Sequence, residues 1–219
     1  MHAALGDARR VVNVGAGAGS YEPKGREVVA VEPSAEMISQ RRGGTVVRAI
    51  AEALPFRTSE FDAALAVLTV HHWLDVAGGL GEMRRVADRA VVLAFDPAVT
   101  NDFWLAREYV PAIGDLDRER APSVGEMVRA LGGARVEPLP IAHDCTDGFL
   151  AAYWRRPQCY LDPAVRGGIS CLAQLSPEEV DPGMRKLEAD LASGAWVERH
   201  ADLLAREDAD WGYRLLVAE

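Results

Sequence analysis

The sequence predicts a doubly wound α/β fold with a mostly parallel, Rossmann-like sheet, a helical insertion and an antiparallel last strand. Three observations carry that prediction. In the N-terminal half, residues 11–14, 28–31, 63–68 and 90–95 are near-continuous apolar runs bounded by glycine, proline or charge. Strands buried on both faces of a parallel sheet have this character. Closely spaced glycines follow the first run directly, in Val12-Asn13-Val14-Gly15-Ala16-Gly17-Ala18-Gly19, where an open α/β sheet turns the chain at its ligand-binding edge. With 219 residues, 49% of them apolar, the chain is long enough for one sizeable core.

Helix signals separate the strands. Ser34 is placed to cap a helix beginning Ala35-Glu36-Met37-Ile38, and Leu80, Met83, Val86 and Ala87 share one helical face. Beyond Asp96-Pro97, Ser123 precedes Val124, Met127, Val128 and Leu131, with a Gly132-Gly133 stop, which predicts a capped helix. Pro138 and Pro140 suit residues 136–141 to an edge strand, because proline cannot donate to a ladder. Residues 145–210 read as helical: Asp162-Pro163 and Ser176-Pro177 each supply an N-cap with proline at the first helical position, and Pro157 ends a helix carrying Phe149, Tyr153 and Trp154. Tyr213-Arg214-Leu215-Leu216-Val217-Ala218 reads as the last strand. With no repeat or low-complexity linker, residues 1–219 are expected to form a single domain: a cofactor-binding core at 1–144, a helical insertion at 145–210 and a last strand at 211–219.

Composition narrows the partners. A formal charge of −9 with both signs interspersed lacks the basic footprint of a nucleic-acid binder, so a small or neutral substrate is expected. No apolar run approaches the roughly 18 residues that span a bilayer, and MHAALGDARR lacks a signal-peptide stretch. A cytoplasmic protein without membrane contact is expected. Cys145, Cys159 and Cys171 are odd in number and lack C-x-x-C spacing, and no H-x-x-x-H pair occurs, so neither a disulfide framework nor a metal site is expected.

The glycine spacing discriminates between nucleotide ligands. A dinucleotide fingerprint is G-x-G-x-x-G, but Ser20 stands at the sixth position from Gly15 and the pattern is G-x-G-x-G. Glu32 ends the next strand, where an acid can accept both hydroxyls of a ribose. No arginine follows it to pair with a 2′-phosphate. The alternatives at these positions are a tight turn without a ligand and a solvated acid beside Ser34.

Taken with Val31-Glu32-Pro33-Ser34, Ala51-Glu52-Ala53-Leu54-Pro55-Phe56, and Phe61-Asp62 leading to His71-His72-Trp73, the glycine segment resembles the class I S-adenosylmethionine-dependent methyltransferases, particularly the small-molecule enzymes similar to those of ubiquinone biosynthesis. The four segments occur in the same order, over about residues 10–97. The resemblance implies that S-adenosylmethionine lies with its methionine and ribose parts over Gly15, Ala16 and Gly17, with Glu32 gripping the ribose, Pro33 bordering the adenine, and Ala51 and Glu52 at its edge. Thr69 and Val70 would face the sulfonium. His71 and His72 would be the candidate catalytic bases, and Trp73 would line the substrate entrance.

Three departures accompany it. The family usually has an acid where Asn13 stands and commonly an aspartate where Ile50 stands, and its members carry a helical N-terminal arm of some tens of residues, whereas here the first strand is read about ten residues in. Residues 98–121, bearing Phe103, Trp104 and Tyr109, are therefore expected to act as the lid, with Trp104 and Tyr109 contacting substrate. The alternative is that these aromatics pack permanently against the C-terminal helices. The function implied is methyl transfer to an O, N or C atom of a small metabolite. A non-catalytic cofactor-binding domain, with the insertion serving as a homodimer interface, is the first alternative, and an NAD-binding oxidoreductase the second.

Overall fold

The computed structural model describes residues 1–219. The first half builds strands β1 (Arg10–Val14), β2 (Glu27–Val31), β3 (Thr45–Val47), β4 (Phe61–Val67) and β5 (Ala87–Phe95), with helices α1 (Ala35–Ser39) and α2 (Val76–Val86) between them. Helices α3 (Pro97–Thr100), α4 (Trp104–Glu108), α5 (Ala112–Arg120) and α6 (Val124–Ala130) follow, then strands β6 (Arg135–Pro138) and β7 (Ile141–Ala142). Helices α7 (Pro163–Gly168), α8 (Ser170–Gln174), α9 (Pro177–Ser193), α10 (Ala195–Arg199) and α11 (Ala201–Leu204) lead to β8 (Asp208–Ala209) and β9 (Tyr213–Ala218).

Seven strands form one sheet in the order β3-β2-β1-β4-β5-β9-β6. The pairs β1–β2, β1–β4, β2–β3 and β4–β5 are parallel, and β6–β9 is antiparallel, as the expected fold class requires. The order reverses between β1 and β4. That is the switch point at which the carboxyl ends of the strands leave a crevice, and it places the glycine loop after β1 beside the residues that end β4.

Apolar runs on both faces explain the strands. Val12, Val14, Val29, Val31, Ala64 and Ala66 share a core with Leu80, Met83 and Val86 of α2 and Met127 of α6. Burying a side chain such as Leu80 or Met83 completely contributes roughly 1.5–3 kcal/mol. Local caps set the helix starts: Ser34 accepts the Met37 N–H at 3.2 Å, and Ser123 and Glu126 form a reciprocal capping box.

The chain divides into two compact units, one of Met1–Asp96, Ala121–Pro138 and Arg214–Glu219, the other of Pro97–Arg120 and Leu139–Tyr213. These boundaries differ from the expected division of one domain at 144/145 and 210/211. Residues 98–121, expected to act as a lid, fall largely in helices α3 to α5, which cluster with the C-terminal helices, and the C-terminal segment of that unit starts at 139 where the helical insertion was expected from 145. That unit also contains the small antiparallel pair β7–β8. Pro157 does not end a helix; it opens the 3-10 turn Pro157–Leu161 after a shorter one at Leu150–Tyr153. Strand β3 escaped the sequence reading because it has only three residues and none of them is fully buried. Between β1 and β2, residues 15–26 contain turns and no helix.

Candidate active site

Parallel pairing sets β1 between β2 and β4, with Asn13 enclosed opposite Ala30 and Leu65. Past β1, the N–H groups of Gly15 and Ala16 both donate to the Val31 carbonyl, at 2.9 and 3.0 Å. These bonds curl the loop over the end of β2. Gly15 and Gly17 have φ of +68° and +52°, the left-handed region that glycine enters without a Cβ penalty. At Gly15 the need is also steric, since a Cβ there would lie 2.1 Å from Thr69 Oγ1. Thr69 thus seats against the glycine loop at the end of β4. The adjoining Leu68 holds a φ of +50°, rare for a side-chain-bearing residue, and its N–H donates to the Leu93 carbonyl.

Glu32 completes this group. Its side chain is 7% exposed, with Oε2 accepting the Gly17 N–H at 2.8 Å and Oε1 accepting the Ser34 N–H at 2.9 Å. A carboxylate offers about four acceptor positions, so two remain for a diol. Gly15, Ala16, Gly17, Glu32 and Thr69 are therefore brought together around the switch point. Bare backbone and a buried carboxylate with spare lone pairs can accept a ligand hydroxyl pair.

A second group forms where the loop after β3 meets the start of α2. Ala51 is buried, and Glu52 Oε1 accepts the N–H groups of Leu74 and Asp75 at 2.9 and 3.1 Å. Glu52 thus ties the loop to the turn that carries His71, His72 and Trp73. Glu82 and Arg85 of α2 brace the same loop: Glu82 accepts the Leu54 N–H, and Arg85 donates to the carbonyls of Leu54 and Phe56. The ion pair with Arg85 holds the Glu82 carboxyl below its usual range. Trp73 leans on α2, where a Cβ on Gly79 would lie 2.5 Å from its ring. Pro33 is exposed, and its carbonyl accepts from Arg48.

The structure revises several expectations. Val70 lies in the apolar core with Leu80 and Met83, so only Thr69 turns its side chain to the glycine loop. Because the chain enters a 3-10 turn at Val70, strand alternation does not continue past Thr69. The His71 ring packs at a tilt, 5.1 Å from the Phe95 ring and 4.0 Å from that of His72, and burial, aided by the neighbouring imidazole, pushes its pKa down to about 3. It stays neutral at physiological pH and accepts a proton poorly. His72 is exposed.

Trp104 and Tyr109 are corrected from substrate contacts to core groups of the helical unit. Trp104 is 1% exposed, packs edge-on against Tyr160 and Trp196, and donates its indole N–H to the Trp154 carbonyl at 3.0 Å. Tyr109 donates to Asp190 at 2.8 Å and meets Arg199. Sequence reasoning also missed Arg41, which follows α1 and reaches back to the Gly17 carbonyl; no local pattern marks so distant a contact.

Residues 12–95 match the family model of the methyltransferase domain. A candidate methyltransferase from an antibiotic biosynthesis pathway of Anabaena variabilis shares 29% identity, with a TM-score of 0.89 over 96% of this chain and 90% of that one. Geranyl diphosphate C-methyltransferase of Streptomyces coelicolor, solved with S-adenosylhomocysteine, shares the fold at 15% identity and a TM-score of 0.52, over 99% of this chain and 72% of that one. YafE of Escherichia coli K12, itself uncharacterised, is 29% identical over 123 residues, half of this chain. The chain matches 58% of the length of that curated relative. No helix is long and apolar enough to cross a membrane. The seven-stranded sheet, the glycine loop bonded to Glu32 and these matches support a class I S-adenosylmethionine-dependent methyltransferase, with the methyltransferase domain at residues 12–95.

Proposed function

We propose that the protein transfers a methyl group from S-adenosylmethionine to an O, N or C atom of a small metabolite. The observation that carries this reading is the bond from the Gly17 N–H to the buried Glu32 carboxylate, which fixes a bare backbone loop and a ribose acceptor in one unit. Gly15, Gly17 and Glu32 would hold the cofactor, and Thr69 would border it. When bound, the sulfonium supplies an electrophilic methyl group. The chain's own contribution is orientation and exclusion of water, worth up to roughly 7–11 kcal/mol for well-aligned reactants.

An acceptor that must lose a proton needs a base. His72 is the better placed of the two histidines, because burial suppresses the basicity of His71. The net charge of −9 favours a small acceptor over a nucleic acid, and the antibiotic-pathway assignment of the Anabaena relative points the same way.

Calorimetric titration with S-adenosylhomocysteine and with NAD tests the cofactor, and S-adenosylhomocysteine release across a panel of small O-, N- and C-nucleophiles tests the reaction. Binding of S-adenosylhomocysteine but not NAD, with turnover on one acceptor class, is expected. Preference for NAD overturns the reading. Tight S-adenosylhomocysteine binding without turnover on any acceptor marks a non-catalytic binding domain instead.

A further inference from the structure

We propose that Arg41 is a positioning residue for the cofactor, clamping the glycine loop in its binding shape from outside the ligand site. The inference rests on the S-adenosylmethionine reading. It starts from the connection between β1 and β2, where residues 15–26 form no helix that would brace the loop through its own backbone ladder. Alternate glycines at 15, 17 and 19, with φ of +68°, +52° and +93°, give that segment little intrinsic preference, because glycine enters many backbone states at similar cost. Something outside the loop must select one of them.

Arg41 is built to do so. Its side chain is 4% exposed, unusual for arginine unless it is paired. Nη1 donates to the Gly17 carbonyl at 3.0 Å, while Nη2 pairs with Glu22 further along the loop. One guanidinium therefore bridges two points of the segment, Gly17 and Glu22. Gly17 is held on two sides, its N–H by Glu32 and its C=O by Arg41. The absence of a Cβ at Gly19 admits the clamp, since one there would lie 3.2 Å from Nη1. A planar fork can bond both acceptors together, whereas the ammonium of lysine is a single point charge.

A loop that is competent only part of the time weakens apparent affinity by that fraction. If release of the clamp leaves the loop competent about 1–10% of the time, the dissociation constant rises about 10- to 100-fold. The test is calorimetric titration of the full chain with S-adenosylhomocysteine, well below each variant's melting temperature, for wild type, Arg41→Met, Arg41→Lys and Glu22→Gln. The expected result is a loss of that size for Arg41→Met, partial recovery in Arg41→Lys and a smaller loss for Glu22→Gln. Amide exchange at Ala18 and Gly19 should accelerate in ligand-free Arg41→Met and slow again when ligand saturates it. Should Arg41→Met fail to fold, Arg41→Lys and Glu22→Gln still decide. A merely structural arginine would lower the melting temperature and leave the dissociation constant unchanged, which overturns the proposal. No binding by wild type overturns the cofactor reading and this inference with it, whereas equal binding by wild type and the variants overturns the inference alone.

Discussion

Glu32 and Gly17 are joined by one short bond, the Gly17 N–H donating to Glu32 Oε2 at 2.8 Å. The other carboxylate oxygen accepts the Ser34 N–H. A single side chain at the end of β2 therefore sets both the glycine loop and the entry to α1.

Both oxygens of Glu32 accept backbone donors, so Glu32→Gln is not a quiet isostere. Its amide NH2 must face one of two N–H groups, leaving a buried donor unmatched at a cost of about 1–3 kcal/mol. Thermal melting should show the loss, and calorimetry with S-adenosylhomocysteine should show weaker binding. A variant with wild-type melting and affinity would remove Glu32 from the site.

Gly15→Ala should destabilise the protein by about 2–4 kcal/mol, combining left-handed strain with a collision against Thr69. Adding Thr69→Ala removes the two nearest atoms, Oγ1 and Cγ2, and should return part of that loss while the backbone strain persists. Denaturant titrations of the two single variants and the double variant give the coupling energy. Strict additivity would mean that the two residues do not touch.

Two helical glycines should respond in opposite directions to alanine. Gly183 of α9 packs so closely that a Cβ would lie 2.1 Å from the Tyr109 carbonyl oxygen, whereas a Cβ on Gly81 of α2 meets nothing within 4 Å. Gly81→Ala should stabilise by about 0.5–1 kcal/mol through helix propensity. Gly183→Ala should destabilise despite the same gain. Urea unfolding of both variants is the measurement.

Acid should weaken the fold through His71. Its folded pKa is depressed to about 3 from an ordinary 6.5, so the stability it confers is intact above pH 6.5 and is lost as pH falls toward 3, where the unfolded chain binds the extra proton. Between pH 7.5 and 5.5, wild type should lose about 1 kcal/mol more than His71→Leu. Equal losses would contradict the burial of the ring.

Asp117 of α5 works in the other direction. Burial pushes its carboxyl up to about 6, and the nearby Cys171 thiol is pushed up to about 12. A raised carboxyl pKa means that folding carries a buried charge above pH 6, a penalty that disappears as pH falls through 6 toward 3.8. Asp117→Asn should raise stability at pH 8 by about 1–3 kcal/mol and confer no advantage at pH 4. Melting temperatures at the two pH values check this.

Much of the sheet was legible in the sequence because its determinants are local. Apolar runs fixed β1, β2, β4 and β5, proline marked β6 as an edge strand although the expected strand 136–141 breaks into β6 and β7 of separate sheets, and Ser34 and Ser123 announced their helices through bonds only three residues away. The glycine spacing and Glu32 were readable for the same reason: a sharp turn after one strand and an acid ending the next are properties of short segments. Distant partners decided the rest. Val70 faces the core because the chain enters a 3-10 turn there, and His71 is a poor base because Phe95 and His72 surround its ring. Trp104 and Tyr109 have the composition of a binding surface, yet Trp154, Trp196 and Asp190 claim them for an interior. Arg41 finds the Gly17 carbonyl across 24 residues. Periodicity and turn chemistry report what a residue does to its own neighbours along the chain, whereas burial, basicity and the far end of a hydrogen bond depend on which segments pack together, and only the tertiary structure determines that.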